Sequence, residues 1–176
     1  QIKNGEIELP DKLFVGTGTM GTAVGLALGI ALAGEKIEIN AVRVSDRLIM
    51  NSAAMRTLLR KTIAMMRALD DSIPTDLEAA TNIRIRDGFY GPGYAQGTAA
   101  TDEAIKFAHD QLGLTLETTY TGKTMAALLT DMRNPEMGNL KFLYWHTYNS
   151  VDFGLSPDKP LDSNALPDQF LKYFAD

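Results

Sequence analysis

Three short stretches of this 176-residue chain combine residue types and spacings that could do chemistry. The first is Gly16-Thr17-Gly18-Thr19-Met20-Gly21-Thr22, which follows the apolar run Lys12-Leu13-Phe14-Val15 and leads into an apolar helical pattern. A strand, a tight turn and a helix start in that order aim unpaired backbone N–H groups at one point, with the helix dipole behind them, and so favour an anion. Gly18, Thr19, Met20, Gly21 and Thr22 are the residues that would hold a phosphate, the hydroxyls of Thr19 and Thr22 adding donors. The other two stretches are Gly91-Pro92-Gly93-Tyr94 and Tyr120-Thr121-Gly122-Lys123, each read as the end of a strand passing into a loop or helix. Open parallel sheets bind ligands at the carboxyl ends of their strands, which puts Tyr94 and Tyr120 on the ligand edge. Each feature also has a plain structural alternative: a turn that only packs, a Gly-Pro-Gly turn, and a half-buried aromatic.

The elements that must position these residues alternate along the chain. Strands are expected near Lys12 to Val15, Ile37 to Val44, Asn82 to Arg86, Leu116 to Thr119 and Leu140 to His146, separated by helical patterns. The helices are Gly21 to Ala33, Ser52 to Leu69, Thr101 to Leu112 and Lys123 to Met132, with Ser52 as an N-cap and Gly34 as a C-terminal stop. Strands alternating with helices imply an α/β fold with a mostly parallel sheet. Gly21, Gly25, Gly29 and Ala33 recur every fourth residue, so one side of the first helix is expected to lie close against the sheet. Pro74 to Thr81 reads as a polar linker and Ser156 to Pro167 as a loop, with Phe170, Tyr173 and Phe174 docking a last short helix.

Composition narrows the chemistry. The chain has no cysteine, which removes thiolate nucleophiles, disulfides and Cys-ligated zinc, and its two histidines, His109 and His146, have no metal-ligand spacing. No metal site is therefore assigned. A net charge of -5 speaks against a nucleic-acid footprint, and the longest apolar run, Ala23 to Ala33, is too short for a membrane span. Arg56, Arg60, Lys61 and Arg67 read as the solvated face of the second helix.

The glycine loop admits two anion readings. Gly16, Gly18 and Gly21 match G-x-G-x-x-G, and Asp46 follows Gly21 by about 25 residues, near the place of a ribose-binding acid in a dinucleotide domain. Alternatively Thr19 and Thr22 serve a terminal phosphate with exposed oxygens. A Walker A reading of Gly122-Lys123-Thr124 fails because its first glycine would fall at Glu117. Lys123 is read as a structural contact, since a cation at a helix N-terminus opposes the dipole and needs a partner.

Taken together and in this order, the loop and the two tyrosine motifs resemble the 1-aminocyclopropane-1-carboxylate deaminase and D-cysteine desulfhydrase family from Leu13 to Thr147. The family's phosphate loop is matched by Thr17-Gly18-Thr19-Met20-Gly21-Thr22 and a later helix glycine, Gly25. The resemblance implies a three-layer α/β/α fold of the tryptophan-synthase-β type and pyridoxal 5′-phosphate as cofactor. It makes Tyr120 and Tyr94 catalytic residues facing a small amino-acid substrate, and sets Thr121 beside the pyridine nitrogen. A hydroxyl there leaves that nitrogen neutral, which leans toward D-cysteine desulfhydrase-like elimination over ring opening. His146-Thr147 matches the start of the family's His-Thr-Gly-Gly, from which Tyr148-Asn149 departs. The lysine that carries the cofactor lies, by the same resemblance, in a segment ahead of Gln1. The chain is thus expected to be one domain over residues 1–176, the phosphate-binding part of a larger cytoplasmic enzyme and inactive alone. A homodimer partner or a companion chain would supply the rest. A nicotinamide-dinucleotide oxidoreductase domain and an inactive truncated homologue are the alternatives.

Overall fold

The computed structural model describes residues 1–149 together with Pro167 and Gln169. Apart from Pro167, the expected loop from Ser156 and the terminal helix with Phe170, Tyr173 and Phe174 lie outside the described residues. Four strands form one parallel sheet: β1 (Lys12–Thr17), β2 (Glu38–Arg43), β3 (Ile83–Arg86) and β4 (Phe142–Tyr144), in the order β3-β2-β1-β4. Leu13 is in register with Ile39 on one side and Leu143 on the other. Alternation along β1 feeds two cores. Leu13 and Val15 pack with α1 (Gly21–Leu32) and α2 (Ser52–Leu69), while Phe14 packs with α3 (Ala99–Leu112) and α4 (Thr121–Met132). Helices on both faces of the parallel sheet give the expected three-layer α/β/α architecture.

Ion pairing ties α4 to the sheet. Arg86 of β3 donates to both oxygens of Asp131 at 2.6 and 2.7 Å and to Oδ1 of the fully buried Asn40 at 2.9 Å. A bidentate pair of this kind fixes orientation as well as distance. On α2 the N-cap is Asn51, whose side chain accepts from the Ala54 amide at 2.9 Å, and the expected cap Ser52 is the first helical residue. Arg60 and Arg56 on its outer face meet Glu78 at 2.8 and 3.9 Å.

Two further expectations are corrected by the fold. Leu116 to Thr119 is not a strand. Leu116 is buried in the α3/α4 core, but the Glu117 amide donates to Thr121 Oγ1 at 2.9 Å and the Glu117 carboxylate accepts from the amides of Thr119, Tyr120 and Thr121 at 2.6 to 3.1 Å. These local bonds occupy the donors that a sheet ladder would need. The small-residue stripe of α1 does not meet the sheet either: Ala23, Val24, Ala27 and Leu28 form the buried face, and Gly21, Gly25 and Gly29 are exposed. A Cβ added at any of those three glycines meets nothing within 4 Å.

Candidate functional site

The glycine loop connects β1 to α1 through Met20, which takes a left-handed conformation with φ 70°. Such a backbone costs a non-glycine residue about 1–2 kcal/mol and is held only when the surroundings demand it. No side chain caps the start of α1. Its first amides therefore keep their donor capacity at the positive end of the helix dipole, where an anion is stabilised. Gly16 through Thr22 line a small pocket of about 180 Å³, and its remaining wall is Tyr120.

Tyr120 explains the glycines. A Cβ at Gly18 would stand 3.1 Å from the Tyr120 hydroxyl, and one at Gly16 would stand 2.9 Å from Thr124 Oγ1 and 3.3 Å from the Tyr120 carbonyl. The loop is bare at these two positions because the start of α4 lies against it. Tyr120 is the N-cap residue of α4 rather than the end of a strand, and the Glu117 carboxylate, accepting its amide, fixes it there.

Tyr94 reaches the same place from the loop between β3 and α3. Its hydroxyl lies 3.4 Å from that of Tyr120, with the rings edge to face at 6.3 Å and 87°. This exceeds the usual O–H···O range of about 2.5–3.0 Å, so neither hydroxyl is locked onto the other. Contact with Tyr94, then burial, pushes the Tyr120 hydroxyl up to about 12. At neutral pH the Tyr120 hydroxyl carries its proton, as an ordinary tyrosine does, and is able to donate. The turn that delivers Tyr94 needs glycine at Gly91, where φ is 74° and a Cβ would meet Thr98 Cγ2 at 2.9 Å.

Gly18, Thr19, Met20, Gly21, Thr22, Tyr120 and Tyr94 are thus brought together. Thr121 is adjacent but differently engaged. It is 2% exposed, and its hydroxyl accepts from the Glu117 amide and lies 3.0 Å from the Glu117 carboxylate. Lys123 is fully buried, its ammonium donating to the carbonyls of Tyr90 at 2.6 Å and Gly93 at 3.2 Å. Burial holds its ammonium below the ordinary lysine range. Asp46 Oδ1 caps its own turn by accepting the Leu48 amide at 2.8 Å. Supporting residues that the sequence did not signal include Glu117, Tyr144, whose hydroxyl donates to the Thr121 carbonyl at 2.9 Å, and Ser45, whose hydroxyl donates to the Gly18 carbonyl at 3.0 Å. Each acts through a backbone atom, which leaves no residue-type pattern to read.

Known proteins resemble the chain in sequence and fold. The chain is 29% identical over 143 residues to the D-cysteine desulfhydrase of Klebsiella pneumoniae (strain 342), covering 80% of this chain and 40% of that protein. It is 32% identical over 115 residues to the D-cysteine desulfhydrase of Salmonella schwarzengrund (strain CVM19633), covering 65% of this chain and 32% of the relative. A crystal structure of an ACC deaminase homologue superposes with a TM-score of 0.62 at 22% identity, over 82% of this chain and 41% of that one. No family model matches the chain. The chain is thus similar to D-cysteine desulfhydrases in sequence and to an ACC deaminase homologue in fold, and it spans about 40% or less of the length of these relatives. Among the described residues no helix is long and apolar enough to cross a membrane.

Proposed function

We propose that this chain is the phosphate-holding part of a pyridoxal-phosphate-dependent lyase that acts on a small amino acid by elimination, as the name D-cysteine desulfhydrase of its relatives suggests. The observation that carries the reading is the position of the Tyr120 hydroxyl, over Gly18 in the wall of the anion pocket and 3.4 Å from Tyr94. The residues suit the cofactor's phosphate: an uncapped helix start, exposed Thr19 and Thr22, and a small pocket closed by Tyr120. Bound pyridoxal phosphate would supply an electron sink for charge developing at the substrate's Cα.

The chain's own residues would then do three things. The amides of Gly18 to Thr22 bind and orient the phosphate. Tyr120, which retains its proton, would donate a hydrogen bond or a proton at its hydroxyl, with the Tyr94 hydroxyl 3.4 Å away beside it. Thr121 would serve the ring nitrogen through a hydroxyl that must first leave Glu117. The reading also calls for a lysine to carry the cofactor. The ammonium of Lys123 is spent on two carbonyls, so another lysine, of the same polypeptide or of a companion chain, is the proposed source.

A dinucleotide site is less well supported. In that motif the second glycine lets a pyrophosphate approach the backbone, and here Tyr120 covers the corresponding Gly18. Calorimetric titration with pyridoxamine 5′-phosphate, which needs no lysine, and with NADH separates the two. Binding of the first and not the second is expected, and the reverse would overturn the proposal.

A further inference from the structure

The carbonyls of Tyr90 and Gly93 flank the turn that delivers Tyr94, and both accept from the fully buried ammonium of Lys123. The same ammonium lies 5.2 Å from the centre of the Tyr90 ring, and the guanidinium of Arg43 lies 4.8 Å from that centre. Arg43, only 6% exposed, donates to the Ser45 carbonyl at 2.6 Å and to Asp87 at 2.5 Å. Ser45 in turn donates to the Gly18 carbonyl at 3.0 Å, and Gly18 lies under the Tyr120 hydroxyl. The contacts close on themselves: Gly18, Ser45, Arg43, Tyr90, Lys123, Gly93, Tyr94, Tyr120 and back to Gly18.

We propose that Lys123 and Arg43 are positioning residues that hold Tyr90, each with its cation against the ring, and so fix the height of the Gly91-Pro92-Gly93 turn, which sets the distance between the Tyr94 and Tyr120 hydroxyls. Lys123 suits this task because its two acceptors are neutral carbonyls three residues apart, one on each side of the turn. Three rotatable N–H donors on one centre can hold both at once, which a single neutral donor cannot do. Holding a cation inside without a contacting carboxylate is costly, and an apolar side chain of equal length would fill the same space without that cost. What such a side chain cannot do is hold the two carbonyls. Arg43 is complementary: its planar group covers the ring while its edge donors anchor it to the end of β2 and, through Ser45, to the anion loop.

The inference rests on the reading of Tyr94 and Tyr120 as the substrate-facing pair, but its test is independent of cofactor and activity. The full chain is labelled with 3-fluorotyrosine, whose phenol titrates at a lower pH than tyrosine, and the Tyr120 fluorine signal is assigned with Tyr120→Phe. Tyr94→Phe gives the reference for a Tyr120 hydroxyl without its neighbour. Lys123→Met is expected to move the Tyr120 titration toward that reference by about one pH unit, a tenfold change in proton affinity, while circular dichroism stays as in the parent. Arg43→Met should move it in the same direction, and Tyr90→Phe, which keeps both ring and carbonyl, should leave it unchanged. If Lys123→Met does not fold, the Arg43→Met and Tyr90→Phe pair decides alone. An unchanged Tyr120 titration in a folded Lys123→Met or Arg43→Met chain overturns the proposal, whereas failure of pyridoxamine 5′-phosphate to bind the parent chain overturns the functional reading and leaves this inference standing.

Discussion

Gly18→Ala separates site from fold more sharply than any other single change. The added methyl would stand 3.1 Å from the Tyr120 hydroxyl oxygen, 3.5 Å from Cε1 and 3.7 Å from Cζ. The carbon–oxygen approach is a few tenths of an ångström too short, and what it meets is the far end of a side chain that can turn aside. Loss of unfolded-state freedom on Gly→Ala stabilises by about 0.4–1 kcal/mol where the backbone allows it, which offsets a mild crowding term, so stability should stay within about 1 kcal/mol of the parent. The ligand is affected differently. In the proposed site, displacing the Tyr120 hydroxyl from the pocket wall removes one hydrogen bond to the charged ligand, about 1.5–3 kcal/mol, or roughly 10- to 150-fold in affinity. The control is Gly16→Ala, whose methyl would meet Thr124 Oγ1 at 2.9 Å and the Tyr120 carbonyl at 3.3 Å. Backbone cannot turn aside, so that variant should lose about 1–3 kcal/mol of stability. Thermal melts and calorimetric titration with pyridoxamine 5′-phosphate read both quantities. Parent-like affinity in a folded Gly18→Ala chain would refute the placement of Tyr120 over the anion.

Other outcomes follow from the same geometry. Thr22→Val should weaken pyridoxamine 5′-phosphate binding by about 1–3 kcal/mol if its hydroxyl meets the phosphate, and unchanged titration curves would move the ligand elsewhere. Thr121→Val should destabilise α4 by about 1–2 kcal/mol through loss of the hydroxyl that accepts the Glu117 amide, with Thr121→Ser close to the parent in chemical melts. Burial raises the Glu117 carboxyl, but the amides of Thr121, Tyr120 and Thr119 outweigh it and hold the group below the ordinary glutamate value. A carboxyl depressed on folding contributes stability above its unfolded pKa and loses it as pH falls through the folded one. Melting temperature should therefore drop on acidification below the ordinary glutamate range, and less steeply in Glu117→Gln. In an assembly that includes the cofactor-bearing lysine, D-cysteine or β-chloro-D-alanine should be turned over in preference to 1-aminocyclopropane-1-carboxylate. Better turnover of the cyclopropane acid would reverse the assignment drawn from Thr121.

The residues that were legible are those whose side-chain type announces their place. Apolar periodicity located α2 to the residue, and the turn chemistry of Gly16 to Thr22 located the loop that joins β1 to α1. Leu116 to Thr119 misled because its apolar and β-branched residues suit a strand, while the Glu117 carboxylate three to four residues before the start of α4 captures the backbone first. The glycine stripe of α1 misled for a related reason: spacing identifies a face but not what lies against it, and the larger Val24 and Leu28 took the sheet side. The loop and both tyrosines converge through backbone contacts of Ser45, Glu117 and Lys123, which carry no motif.

The central claim is that the glycine loop and the tyrosine pair form one pocket for the phosphate end of pyridoxal phosphate. Backbone amide NMR of the ¹⁵N-labelled chain, titrated with pyridoxamine 5′-phosphate, tests it residue by residue. The account predicts saturable shifts concentrated at Gly18, Thr19, Met20, Gly21 and Thr22, with Tyr120 and Tyr94 responding in the same titration. Shifts at these amides with NADH but not with pyridoxamine 5′-phosphate, or shifts with the latter that leave the loop untouched, would contradict it.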